Sequence, residues 1–159
     1  RVRRYALKIA RKLRLSSEQI EELDYAGYLH DIGKIGISDA LLTKPNLLTK
    51  EEYEIIKEHP KIGYNILKHA HHLKGACDII RFEHERYDGR GYPNGLKKND
   101  IPIGARIIAV ADAYDAMTTD RPYRKRLSKK EAIRRLKESN GTQFDPRVIK
   151  AFLSILRGE

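Results

Sequence analysis

The chain has 159 residues, 40% hydrophobic and 34% charged, with 11 Gly and 6 Pro, a balance that suits one helix-rich globular domain and excludes disordered or collagen-like chains. The single cysteine, Cys77, excludes an intramolecular disulfide and fits a reducing, cytoplasmic setting, and no run approaches the ~18 apolar residues of a membrane span. Against 22 Asp and Glu stand 32 Lys and Arg, a net charge of +10 that favours anionic partners. These charges are spread along the chain without interleaved aromatic residues, so a phosphate-bearing small substrate fits better than nucleic acid.

A basic opening (Arg1, Arg3, Arg4, Lys8, Arg11, Lys12, Arg14) precedes Ser16-Ser17-Glu18-Gln19, a capping-box pattern that starts a helix carrying Ile20, Leu23, Ala26 and Leu29. Residues 32–48, with two glycines and a proline, read as a loop. Thr49-Lys50-Glu51-Glu52 opens a helix on which Ile55, Ile62 and Ile66 recur and in which His59 falls late. Residues 88–102 are richer still in turn formers and form a second loop. The apolar run Ile107–Ala111 leads into Asp112, Ser128-Lys129-Lys130-Glu131 has the capping-box form again, and Asp145-Pro146 opens a last helix with Val148, Phe152 and Ile155 on one face. Strand-like alternation is nearly absent. The expectation is an all-α fold of about seven helices in a single domain over residues 1–159, without repeats or an interdomain linker.

His30-Asp31 ends an apolar helical run, where imidazole and carboxylate are awkward to pack but are good ligands for first-row metals; an isolated pair would read simply as a polar helix end. Further on stand His59, Glu83-His84-Glu85 and Asp112. A buried, unpartnered acid inside so apolar a run as Ile107–Ala111 costs several kcal/mol, and a metal or a hydrogen-bond network removes that cost. Inward-facing His and carboxylate groups from separate helices are how helical bundles hold dimetal centres. His69, His71 and His72 lack neighbouring carboxylates and read as a solvated helix face.

His30-Asp31-Ile32-Gly33-Lys34 resembles the H-D-x-G-K signature of HD-domain phosphohydrolases. His84-Glu85-Arg86-Tyr87-Asp88-Gly89-Arg90-Gly91-Tyr92-Pro93 resembles the H-E-x-x-D-G-x-G-Y-P signature of the HD-GYP family, as do the stretches from Ala109 to Arg124 and from Gly141 to Pro146. The resemblance implies an HD-type helical bundle with a GYP loop. Its implied activity is a bacterial phosphodiesterase that hydrolyses the second messenger cyclic di-GMP to linear pGpG, GMP or both. It implies two or three divalent ions, iron or manganese, on His30, Asp31, His59, His84 and Asp112. Asp31 and Lys34 would be catalytic, with Lys34 also touching metal or substrate phosphate, and Tyr92, Arg121 and Arg124 would contact the dinucleotide. An upstream sensory or receiver domain and GGDEF-type protein partners belong to the same picture.

Two departures stand out. The family carries His-His where this chain has Glu83-His84, so Glu83 either serves as a hard oxygen donor that favours Mn or Fe, or turns away and leaves a gap. The family's first histidine ligand would lie upstream of Arg1, which marks the chain as an expected fragment of a longer protein. Under the main reading, metal-activated hydroxide attacks phosphorus while guanidinium groups take up charge. Two other readings stand beside it: a degenerate HD-GYP domain that binds nucleotide or protein without turnover, and an HD phosphohydrolase acting on another nucleotide. Structural roles compete at single residues too: Lys34 as a helix C-terminal cap, Arg121 and Arg124 as solvated charges, Tyr92 as the anchor of a turn, and Asp115 as a support behind Asp112 or a cap of the next element.

Overall fold

The computed structural model describes residues 1–120 and 125–158, so Arg121 and Arg124 lie outside the described residues. Among those described, nine α-helical segments follow one another: α1 (Val2–Lys12), α2 (Ser17–Leu29), α3 (Asp39–Leu42), α4 (Lys50–Ile56), α5 (His59–Leu67), α6 (Lys74–Phe82), α7 (Ile103–Thr118), α8 (Lys129–Glu138) and α9 (Pro146–Arg157). The only β pairing among the described residues is an isolated bridge, Asn140 to Phe144. The expected count of about seven is exceeded because α3 is a single turn and because the helix opened by Thr49 is split in two.

The caps follow the sequence. Ser16 and Thr49 each accept the backbone N–H of the residue three positions on, and the Gln19 and Glu52 side chains accept the cap N–H groups in return. At the third site only half the box forms. Ser128 accepts from Glu131 N, while the Glu131 carboxylate is taken by Arg134 and Arg135. Asp145 caps α9 ahead of Pro146 as expected.

Helix α7 runs through the middle of the fold and packs against α1, α2, α6, α8 and α9. Its run Ile107-Ile108-Ala109-Val110-Ala111 is apolar all round, which only a helix enclosed by others can satisfy; Ile107, Ile108, Val110 and Ala111 are fully buried. Tyr5 of α1, Tyr114 of α7 and Phe152 of α9 meet edge to face, with ring centroids 5.0–5.5 Å apart, and so lock three helices at one point. Asp115 pairs with Arg1 at 2.9 Å, and Arg1 also reaches the hydroxyls of Thr118 and Thr119, tying the start of α1 to the end of α7.

Candidate metal centre

Helix α2 ends at Leu29, and His30 and Asp31 lead into a 3-10 turn over Ile32–Gly36. That turn lies directly on α5. A Cβ at Gly33 would sit 1.8 Å from the His59 carbonyl oxygen and 2.6 Å from Gly63 N, so only glycine permits the approach. Lys34 is not a simple helix cap, since its ammonium sits 2.7 Å from Asp31 Oδ1. The His30 ring nitrogen Nε2 is 3.9 Å from Asp31 Oδ2, and its Nδ1 is buried with no hydrogen-bond partner among the described residues.

His59 does not lie late in the Thr49-capped helix. That helix stops at Ile56, and His59 is the first residue of α5, because Pro60 has no N–H to donate back and its ring clashes with the preceding turn. The break frees the Ile56 carbonyl, which accepts from His59 Nδ1 at 2.7 Å. A carbonyl can only accept, so the proton sits on Nδ1 and the lone pair on Nε2, the arrangement that metal-binding histidines show. His59 Nε2 faces His84 Nε2 at 3.1 Å, close enough for the two to share one cation.

Glu83 ends α6 and turns inward. Its Oε1 is 3.8 Å from both His59 Nε2 and His84 Nε2, buried and, among the described residues, without a hydrogen-bond partner. The three ligand atoms lie within 4.8 Å of one another. A carboxylate oxygen left bare inside a protein costs about 1–3 kcal/mol or more, and a divalent cation between these groups removes that cost, so the residues fit a metal. Glu83 therefore turns toward the two imidazoles rather than away from them. His30, Asp31 and Asp112 stand around this trio rather than in it. Burial, reinforced by the charges of Asp112 and Asp31, pushes the Glu83 carboxyl well above the ordinary range. Burial and the neighbouring His59 push His84 down to about 3, and burial also lowers His59. Both rings are thus neutral and ready to ligate. Although desolvation opposes it, the Lys34 ammonium holds Asp31 below its usual value, with help from His30 and His59.

Glu83 and His84 open into a cleft of about 310 Å³, which Asp112 also bounds. The Tyr92 ring lies parallel on His84, with centroids 5.0 Å apart and planes 17° apart, and Lys57 Nζ sits 5.2 Å from the Tyr92 centroid. Burial is the main cause that raises the Tyr92 phenol, which sits beside Tyr53. The loop that carries Tyr92 is held from below by buried Glu85, whose two oxygens accept the N–H groups of Asn94 and Leu96 at 2.7 and 3.0 Å. Asp88 clasps Arg86 at 2.7 Å and accepts Arg90 N at 3.1 Å. Lys57, Arg90 and Gln143 also line the cleft, and the sequence reading missed all three. Gln143 stands in the noted Gly141–Pro146 stretch, whereas Lys57 and Arg90 are ordinary surface cations by every local pattern. His69, His71 and His72 are exposed, as expected.

A family model described as HD domain matches residues 1–148. The chain belongs to the HD domain family. This HD domain is 44% identical over 150 residues to a cyclic di-GMP phosphodiesterase of Thermotoga maritima, covering 93% of the chain and 41% of that protein. It is 43% identical over 148 residues to the cyclic di-GMP phosphodiesterase response regulator RpfG of Xanthomonas campestris, covering 91% and 39%. The chain thus spans about two fifths of the length of these relatives. Its fold matches that of Bd1817, an HDG"Y"P protein from Bdellovibrio bacteriovorus, with a TM-score of 0.80 at 24% identity over 99% of the chain and 50% of that structure. No helix among the described residues of the HD domain is long and apolar enough to cross a membrane.

Proposed function

We propose that this HD domain is a metal-dependent phosphodiesterase that hydrolyses cyclic di-GMP to linear pGpG, GMP or both. One observation carries the reading: two imidazoles and a carboxyl group converge within 4.8 Å, and two of the three, Glu83 and His84, open onto a cleft that also bears Lys57, Arg86 and Arg90. The names of the 44% and 43% identical relatives support the choice of substrate.

His59, Glu83 and His84 would hold one ion, and His30, Asp31 and Asp112 would complete a centre of two or three. A donor set this rich in oxygen and imidazole suits iron or manganese. When bound, such ions supply Lewis acidity toward the phosphate and a water activated at neutral pH. The chain's own groups do the rest. Lys34 offsets the charge of Asp31, Tyr92 fixes the plane of the His84 ring, and Lys57 and Arg90 draw the anionic substrate into the cleft. Arg121 and Arg124 are proposed to add guanidinium contacts to phosphate. The inward turn of Glu83 favours turnover over a degenerate binding role.

The test is anaerobic loading with Fe(II) or Mn(II), metal analysis, and chromatography of products from cyclic di-GMP. Wild type should release pGpG or GMP, and Asp31→Ala should lose both metal and product. Full metal occupancy without product would overturn the reading in favour of a binding module, and unchanged metal content in Asp31→Ala would remove Asp31 from the ligand set.

A further inference from the structure

The Gly141–Pro146 segment is the one sequence motif that the metal centre leaves without a role, and its construction is specific. Gly141 takes a positive φ of 76°, and its N–H donates to the Phe144 carbonyl at 2.9 Å, closing a tight turn. Phe144 is buried in the core. Asp145 is fixed by the Arg106 guanidinium and by Arg147 N, each at 2.7 Å. On the other side, the carbonyls of Thr142 and Gln143 accept the N–H groups of Asp88 and Tyr87 at 2.8 and 3.1 Å, so the turn docks onto the loop that carries Tyr92. The backbone of Gln143 is therefore held from both directions at the wall of the cleft.

Its side chain has no such task. Among the described residues the Gln143 carboxamide makes no hydrogen bond, while three of its charged neighbours in the cleft are engaged: Arg86 with Asp88, Glu85 with the Asn94 and Leu96 amides, and Lys57 with Glu54. The cleft's remaining groups divide by chemistry. Cations suit phosphate, and the half-exposed ring of Tyr53 suits stacking on a base. A neutral carboxamide offers one donor and one acceptor side by side, which matches the paired edge of a purine base.

We propose that Gln143 hydrogen-bonds the edge of a purine of the bound dinucleotide and so sets base recognition; this rests on the phosphodiesterase reading above. Because the structural work of the segment is done by main-chain carbonyls, replacing the side chain leaves the docking intact. The experiment compares wild type with Gln143→Ala, both loaded with Mn(II). It reads cyclic di-GMP binding by calorimetry and kcat/KM on cyclic di-GMP and on bis(4-nitrophenyl) phosphate, a phosphodiester with no nucleobase. Loss of one such hydrogen bond should weaken dinucleotide binding roughly two- to tenfold. It should also cost kcat/KM on the dinucleotide that much more than on the base-free ester. Equal losses on both substrates, or dinucleotide binding like that of wild type, would overturn the assignment while leaving the phosphodiesterase standing. Wild type that neither binds nor hydrolyses cyclic di-GMP, yet cleaves the base-free ester, would overturn both.

Discussion

Residues 32–48 and 88–102 share a turn-rich composition and flank the same site, yet they are held in different ways. The second loop rests on the buried carboxylate of Glu85, on the Arg86–Asp88 clasp and on main-chain bonds to the Gly141–Pro146 turn. The first is anchored where Gly33 meets α5, where Ile37 is buried and where Lys44 pairs with Glu52 at 2.7 Å. Beyond that Ile35 is 79% and Leu47 95% exposed, and neither α3 nor α4 buries a single residue. Composition sets the bends, but fixation comes from acids placed to accept backbone N–H groups. In consequence the wall that bears His84 and Tyr92 is stiff, while the one that bears Tyr53 and Lys57 opens at low cost.

The largest expected effect tests the anchored end of the first loop. Gly33→Ala drives a methyl into the His59 carbonyl and should cost about 3 kcal/mol in chemical denaturation; a loss near zero would show that α5 yields easily. Next, Glu85→Ala removes the acceptor of two amides and should cost about 2 kcal/mol. Faster amide exchange at Asn94 and Leu96 should accompany it, and unchanged exchange would mean that the loop is held elsewhere. In the wild type, exchange across α4 should outpace exchange across residues 85–97, and equal rates would erase the contrast between the loops.

Acid should loosen the second loop through its clasp. Arg86 holds the Asp88 carboxyl at about 2, below its ordinary value. The unfolded chain therefore takes up the proton first. The contribution of the clasp is complete above about pH 4 and is lost as pH falls through the folded value. The carboxyl carbon of Asp88, followed by NMR, should titrate accordingly, and a midpoint near 4 would mean that no clasp exists in solution. Smallest of all, Leu47→Ser should change stability by no more than about 0.5 kcal/mol.

Much of this was legible in the residues. Caps and apolar periodicity marked the starts of α2, α4, α8 and α9, whereas the all-apolar run before Asp112 was noted for its acid and not as the central helix it proves to be. His30, Asp31, His59, Glu83, His84 and Asp112 stood out because His and carboxylates are poor choices for a core without a ligand. The break before His59 was missed because Ile55, Ile62 and Ile66 keep helical spacing across it; Pro60 was the available signal, and its effect depends on where the preceding carbonyl is needed. Lys57 and Arg90 were invisible because nothing local separates a cation that faces a cleft from one that faces water. Glu85 was noted beside His84 and as a letter of a motif but not as the anchor of a loop, its two amide partners lying nine and eleven residues away.

The interruption at Lys57 and Glu58 also acts as a phase setting. Successive residues of a helix are turned by about 100°, so in an unbroken helix Lys57 and His59 would keep one fixed angle and every insertion upstream would rotate both. With the break, the direction of the ligand is referred to Pro60 and α5, and that of the cation to α4. The outer wall of the cleft can therefore be lengthened, shortened or turned by changes in sequence without re-aiming the imidazole that faces the metal.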